Sequence, residues 1–382
     1  MGKFEILLVL FDSECVNEAL IPGLPDELAL ICLAKISHGF LGVLECVCKR
    51  WRDVIRSEEY AFYKSGSMGR CGDWLFVLIT EDDDRSRYWK AYDPEADRWH
   101  PIPSMPRVNE LVAFSCVSVC NRLFVIGGFF LDYGYRGKIL STNQVFSFDP
   151  YRQEWSEVAS MSNGRAFFAC IVICNKVYVG GGYSSGYNSE YYCPHNPLSS
   201  AEVYDPMKDR WDELPPMPHS WVDCFGVAYN TKFYILSEFS SNIMDIFSLH
   251  DRQWCSRRDV RRSEIQAGYR IVVINDHLYT IVGDSLQTVN IETGDWYHVG
   301  SMPAPNIREY PWSNMRSLIC SLRNKIYVIE CMSRYEPDHL VRQRTVRICN
   351  MSTTPLQWKK STISGAKNVR ALECASLEEC LR

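Results

Sequence analysis

Six times along this chain, a turn rich in Asp and other polar residues is followed six residues later by a tryptophan, and usually by a methionine six residues after that. The clearest copy is YDPMKDRWDELPPMP at 204–218; YDPEADRWHPIPSMP at 92–106 and FDPYRQEWSEVASMS at 148–162 are similar to it. Copies at 247–260 and 289–303 are degenerate, and a sixth ends at Trp358. The anchors Trp99, Trp155, Trp211, Trp254, Trp296 and Trp358 stand 56, 56, 43, 42 and 62 residues apart. Repetition on that scale through most of 382 residues argues against a string of unrelated domains. Each copy is one supersecondary piece that buries its apolar face only against its neighbours.

From Asp73 onward helical signal almost disappears, and short apolar runs punctuated by Gly, Pro, Asn and Asp take over. Every copy contains one such run: WLFVLI (74–79), LFVIGG (123–128), VYVGGG (177–182), FYILSE (233–238), LYTIVG (278–283) and IYVIEC (326–331). Five of these follow another apolar run, starting at Ala113, Phe167, Cys224, Tyr269 or Arg316, across a tight turn such as Asn121-Arg122, Asn175-Lys176, Asn275-Asp276 or Asn324-Lys325. The unit is therefore four strands. With the glycine pair and the downstream tryptophan it resembles the kelch repeat, which implies a mainly β chain with a β-propeller over 73–382. Copies four to six lack one or both glycines, so a profile of the repeat is expected to find fewer than six. The first unit has no strand before Trp74, whereas VRALECASLEE, from Val369, has no partner. Its pairing into unit one is expected to close a six-bladed ring and remove the exposed edges of an open array.

Residues 1–19 show no period and are expected to form a mobile tail. The segment after them differs from everything else. In GLPDELALICLAKIS, Pro25 suits the first helical position, Asp26 and Glu27 fall in the first turn, and Leu28, Ile31, Cys32 and Ile36 share a face. Leu41, Leu44, Cys48, Trp51 and Ile55 predict one second helix, and 58–64 a short third. The run Leu24-Pro25-Asp26-Glu27-Leu28, with Cys48-Lys49-Arg50-Trp51 and then Val54-Ile55, resembles an F-box over 20–64, joined to the propeller by a linker at 65–72. That resemblance implies a three-helix module docking on a Skp1-type adaptor and, through it, a cullin. Carried onto this chain, the adaptor contacts or their direct supports are Leu24, Pro25, Leu28, Ile31, Cys48 and Trp51.

Net charge is −5, from 41 basic and 46 acidic residues, so nucleic acid and anionic membranes are poor partners. The apolar run at 6–11 is too short and too acidic at its flanks for a signal peptide, and no stretch is long enough to span a bilayer. A cytoplasmic and/or nuclear location is expected. The seventeen cysteines form no CxxC pair and no zinc spacing. Cys116 and Cys120 recur as Cys170 and Cys174, which predicts small buried residues on core strands. Asp82, Asp83 and Asp84 read as a solvated turn. No HExxH, GxSxG or phosphate-binding loop is present, and no cofactor or metal is called for.

The longest insertions, at 129–143, 183–200 and 332–342, follow the second strand of their units and so share a face with the connections between blades. Those connections carry Arg107, Arg165, Trp221, Arg261, Arg262, Arg308, Tyr310, Trp312 and Arg370, residue types favoured in protein recognition. They are the candidate target-binding set. The competing reading of each single arginine is that it packs between blades or is solvated. Together the features imply the substrate-recognition subunit of a Skp1–cullin–F-box ubiquitin ligase, itself non-catalytic. The alternatives are a kelch scaffold without ligase activity and, further off, a sialidase-like or galactose-oxidase-like propeller enzyme.

Overall fold

The computed structural model describes residues 19–65, 73–81, 86–94, 97–130, 141–184, 196–237, 243–258, 271–282, 284–303, 309–311, 318–336, 339–362 and 369–377. Two units divide the chain between Cys71 and Gly72. The expected tail, the linker after Ser65 and the Asp82–Asp84 turn lie outside the described residues.

In the first unit, α1 (Asp26–Ala34) begins after Pro25, which is the N-cap rather than the first helical residue (φ −57°, ψ 142°). Asp26 and Glu27 set negative charge against the unpaired amides of the first turn. The single helix expected across 41–55 is two, α2 (Leu41–Glu45) and α3 (Lys49–Ile55). Cys48 breaks it by turning extended (φ −162°, ψ 168°), and its Sγ accepts a hydrogen bond from the Trp51 amide at 3.4 Å, capping α3. With α4 (Glu58–Ser65) and a 3-10 turn at His38–Phe40, the three expected helices become four. Their core is Leu20, Ala29, Leu30, Leu33, Ala34, Leu41, Ile55 and Tyr60. Lys64, 1% exposed, donates through Nζ to the carbonyl of Ala34 (2.9 Å), the last residue of α1, and to that of Ile36 just beyond it, so its charge sits at the negative end of α1.

Among the described residues the second unit is six antiparallel blade sheets and one two-stranded sheet. Blade one holds β1 (Trp74–Glu81), β2 (Arg87–Asp93) and β3 (Arg98–Pro101). Blade two has β4 (Leu111–Val112), β5 (Ser115–Val119), β6 (Arg122–Ile126), β7 (Phe129–Phe130), β8 (Val145–Asp149) and β9 (Glu154–Val158). Its sheet runs β5-β6-β8-β9, with β4 and β7 paired beside it. Blade three is β10 (Ala169–Ile173), β11 (Lys176–Gly180), β12 (Ala201–Asp205) and β13 (Arg210–Glu213). Blade four is β14 (Cys224–Tyr229), β15 (Lys232–Ser237), β16 (Ile243–Ser248) and β17 (Gln253–Arg258). Blade five is β18 (Val272–Ile274), β19 (His277–Val282), β20 (Ser285–Val289) and β21 (Trp296–Ser301). Blade six is β22 (Glu309–Pro311), β23 (Leu318–Leu322), β24 (Lys325–Glu336), β25 (His339–Asn350) and β26 (Gln357–Thr362). The last strand, β27 (Val369–Leu377), pairs with β1 from Trp74↔Leu377 to Glu81↔Val369. The expected loop at 332–342 is instead the far half of the β24–β25 hairpin, paired out to Glu336↔His339.

The repeat residues explain the architecture. Asp149 Oδ1 accepts from the amides of Tyr151 (2.8 Å) and Arg152 (3.2 Å), and Asn290 Oδ1 from Glu292 and Thr293, so the acidic turn is an Asx turn between strands three and four. Three of the tryptophans then reach the preceding blade by hydrogen bond. The Nε1 groups of Trp155, Trp211 and Trp254 donate at 2.8 Å to the carbonyls of Pro103, Ala159 and Pro215. Each of those carbonyls lies two residues before the methionine of the previous unit: Met105, Met161 and Met217, all buried. The glycine pair serves backbone approach: a Cβ on Gly182 (φ +80°) would sit 2.6 Å from the Ala166 carbonyl oxygen.

Inner hairpins close with two residues at positive φ, as at Cys120-Asn121, Cys174-Asn175 and Asn275-Asp276, the backbone that matches strand twist. Two of the expected turns, Asn121-Arg122 and Asn175-Lys176, therefore lie one residue earlier. Cys120 and Cys174 are consequently turn residues rather than strand residues; Cys120 is half-buried against the core and Cys174 is exposed. Cys116 and Cys170 do sit half-buried on β5 and β10. Between blades six and one, Leu75, Val77 and Ile79 pack with Leu318, Cys320, Leu322, Tyr327, Ile329, Val346 and Ile348. A hydrogen bond with Cys374 of β27, together with burial, pushes the Cys320 thiol well above its ordinary value.

Candidate functional site

In the first unit, the face of α1 that the sequence marks as apolar is not the face the unit buries. Ala29, Leu30, Leu33 and Ala34 form the internal side, whereas Leu28 is 50% exposed, Ile31 half-buried and Cys32 exposed. A helix apolar on both sides has one side left for a partner. Val43 (64% exposed) on α2 and Val47 (56%) after it add two more apolar side chains in water. Sequence reasoning missed both because it followed the Leu41/Leu44/Cys48 seam; their own i,i+4 spacing off that seam was the available signal.

Motif residues between these helices hold the scaffold. Asp26 accepts from the Leu20 amide (2.7 Å) and pairs with Arg50 (2.6 Å), while Trp51 Nε1 donates to the Leu20 carbonyl (2.8 Å). Leu24 is half-buried, Pro25 and Cys48 are exposed, and Trp51 is half-buried against the core. Of the six residues assigned to adaptor docking, Pro25 and Leu28 are surface, Cys48 and Trp51 are braces, and Leu24 and Ile31 are intermediate.

The propeller set separates more sharply. Arg165 is 0% exposed and bonds the carbonyls of Gly181 (3.0 Å) and Ser200 (2.8 Å), Ser200 Oγ (2.9 Å) and Glu202 Oε1 (2.8 Å). Burial pulls its pKa below the usual guanidinium range, with Glu202 opposing. The expectation that Arg165 meets a target is therefore corrected: it is an internal pin within blade three. Trp221 is corrected likewise. It is buried, and its Nε1 donates to Asp245 Oδ2 at 2.7 Å; Asp245, fully buried, also accepts from His219 and Ser256. The pins are homologous: Glu202 and Asp245 both lie on the third strand of their blade.

Arg107 remains a surface residue. Its guanidinium lies 3.6 Å from the centre of the Phe130 ring and pairs with Glu110 at 2.8 Å, with 54% of the side chain exposed. Tyr310 pairs with Ser333 on β22, and Arg370 with Thr80 on β27. Arg262, Arg308 and Trp312, with Arg261, lie outside the described residues. Among the described residues no group of three His, Cys, Asp or Glu could hold a metal ion, and no helix is long and apolar enough to cross a membrane.

Comparison with known proteins agrees with this geometry. The F-box domain model matches residues 21–63, and the Kelch motif model matches 111–162 and 164–218. The kelch match therefore covers the two units with intact glycine pairs, fewer than six, as their loss elsewhere predicts. An F-box/kelch-repeat protein of Arabidopsis thaliana is 38% identical over 395 residues, covering 96% of this chain and 99% of its own length. Another from the same plant, SKIP30, is 31% identical over 236 residues, covering 60% and 64%. The solved structure of YjhT aligns with a TM-score of 0.51 at 13% identity, covering 71% of this chain and 91% of that one, and so shares the fold. With an F-box unit, a six-bladed propeller and a full-length relative of that type, the chain belongs to the F-box/kelch-repeat protein family.

Proposed function

We propose that this protein is the substrate-recognition subunit of a Skp1–cullin–F-box ubiquitin ligase, in the cytoplasm and/or nucleus. The observation that carries the reading is α1, apolar on both faces with only one of them buried by its own unit: Leu28, with Val43 and Val47 nearby in sequence, offers an apolar contact to a Skp1-type adaptor. Family membership supports it. The β27–β1 pairing supports a closed ring, a rigid platform that presents variable loops. Such a subunit does no covalent chemistry. It raises the local concentration of target lysines beside the ubiquitin-charged enzyme.

The test is affinity capture from a plant lysate with the full-length chain and with Leu28→Glu/Val43→Glu. The wild type is expected to bring down an adaptor, a cullin and target proteins; the variant should keep the targets and lose adaptor and cullin together. Recovery of the adaptor by both proteins, or by neither, contradicts the reading.

A further inference from the structure

The tryptophan bond between blades is not made at every seam. Its acceptor lies four residues after the tryptophan of the preceding blade: Pro103 after Trp99, Ala159 after Trp155 and Pro215 after Trp211. For blade six the counterpart is Gly300, four residues after Trp296. Yet Trp358 Nε1 is buried without a hydrogen-bond partner.

The reason lies in β21. In β3, β9, β13 and β17 the residues around the tryptophan pair with the third strand of their blade in unbroken register. In β21 the register shifts: Gln287 pairs with His298 and Leu286 with Gly300, which leaves Val299 as an extra, unpaired residue. Such a bulge interrupts the alternation of the strand and increases its local twist. Ser301, opposite Ser285, then stands where Gly300 would stand in a regular strand, and neither carbonyl meets the indole. Leu356 of blade six packs against Gly300 instead, so close that a Cβ there would lie 2.8 Å from Leu356 Cδ1.

The inner ring is also thin at this place. β18 has three residues, where β5, β10 and β23 have five and β14 has six. Hydrogen bonds from Asn275 to Asn324 (3.0 Å), from Ser321 to the Val273 carbonyl (3.2 Å) and from Arg347 to the Pro303 carbonyl (2.6 Å) still cross between blades five and six. Trp99 Nε1, at the seam between blades six and one, is likewise buried without a partner, but the ion pairs Lys359–Asp97 and Arg323–Asp73 span that seam.

We infer that the seam between blades five and six is a gate in the ring, which opens and recloses while the three bonded seams from blade one to blade four stay shut. The closed ring is the populated state. Opening here is the least costly excursion from it, because parting these blades breaks no indole bond. Each opening wets Met302, Ile326 and Val328, which form the core between the two blades. The gate goes beyond the recognition reading and does not depend on it.

Native-state hydrogen exchange of the full-length chain at low urea, read by peptide mass spectrometry, tests it. Amides of β18, β19 and β23 should exchange at least about tenfold faster than those of β5, β10 and β11, and with one shared urea dependence. Deleting Val299, which is partly exposed, restores a regular register and should slow exchange at the seam by about tenfold, as one added buried hydrogen bond would. Two substitutions test the cause separately. Trp211→Phe removes a bond that is made and should speed exchange between blades two and three by about tenfold; Trp358→Phe removes a donor that has no acceptor and should speed its own seam by no more than about threefold. The loss of ring area is common to both, so their difference reads the bond. Thermal unfolding shows which variants fold, and if the deletion variant does not, the tryptophan pair decides. Uniform protection around the ring, equal effects of the two tryptophan substitutions, or a folded deletion variant with unslowed exchange overturns the inference.

Discussion

Arg165 shows how the same residue reads in sequence and in space. In sequence it is a lone arginine in a connection beside a long insertion; in space its two terminal guanidinium nitrogens bond Glu202, thirty-seven positions on, and three oxygens of Gly181 and Ser200. Nothing local announces the partner, because the ion pair forms only once blade three has folded. Breaking it should cost far more than a surface pair. Glu202→Ala leaves a buried, uncompensated cation and should destabilise the propeller by about 3–5 kcal/mol, whereas Arg165→Met/Glu202→Leu removes both charges and should cost less, the remaining loss coming from the Ser162 amide and Gly181 carbonyl it strands. Urea denaturation of the single and double variants measures both. Leu28 is the opposite case: because its side chain is half in water, Leu28→Ala should change the unfolding midpoint little, while Leu33→Ala, from the buried side of α1, should cost about 2–5 kcal/mol.

At the scale of elements, the tryptophan was legible as structural but its bond was not. Its period showed that it served every blade; the acceptor, a carbonyl two residues before the preceding methionine, is visible only across blades. Trp211→Phe keeps most of the ring contact and removes the Nε1 donor to Ala159, leaving that carbonyl short of a partner, so a loss of about 1–2 kcal/mol is expected in the same denaturation assay. Strand identity is readable from apolar runs and Asn turns, whereas turn register is not, since Asn121 is the second residue of the turn after Cys120 and not the first. The helix predicted over 41–55 failed for a similar reason. Its apolar spacing runs unbroken through Cys48, and the extended backbone there leaves no mark on that spacing.

Across the whole molecule, the joint between blades six and one gathers the long-range contacts. Besides the β27–β1 ladder, Lys359 Nζ meets Asp97 Oδ2 at 2.6 Å and Arg323 forks onto Asp73 at 2.9 and 3.0 Å. Hydrogen bonds from Lys359 and Tyr92 hold the Asp97 carboxyl below the usual carboxylate range. The folded chain therefore takes up that proton less readily than the unfolded chain. Its contribution is complete above the ordinary carboxylate pKa and drains as pH falls through the lower folded value. Asp97→Asn should flatten that part of the acid limb in a stability–pH profile, modestly, since the pair is half in water. Deleting 369–382 should expose the β1 edge with Leu75 and Val77, lowering the unfolding midpoint and broadening the transition.

The fold was legible because six copies vote on each strand; the exposed apolar side chains of the first unit, which occurs once, were legible only in part, Leu28 but not Val43 or Val47. The most direct test of the account is calorimetric titration of a purified Skp1-type adaptor into the full-length chain and into Leu28→Glu/Val43→Glu. The wild type should bind one adaptor per chain, and the variant should lose binding by at least about a hundredfold with an unchanged propeller unfolding transition. Equal affinity for both proteins, or no heat from either, would contradict it.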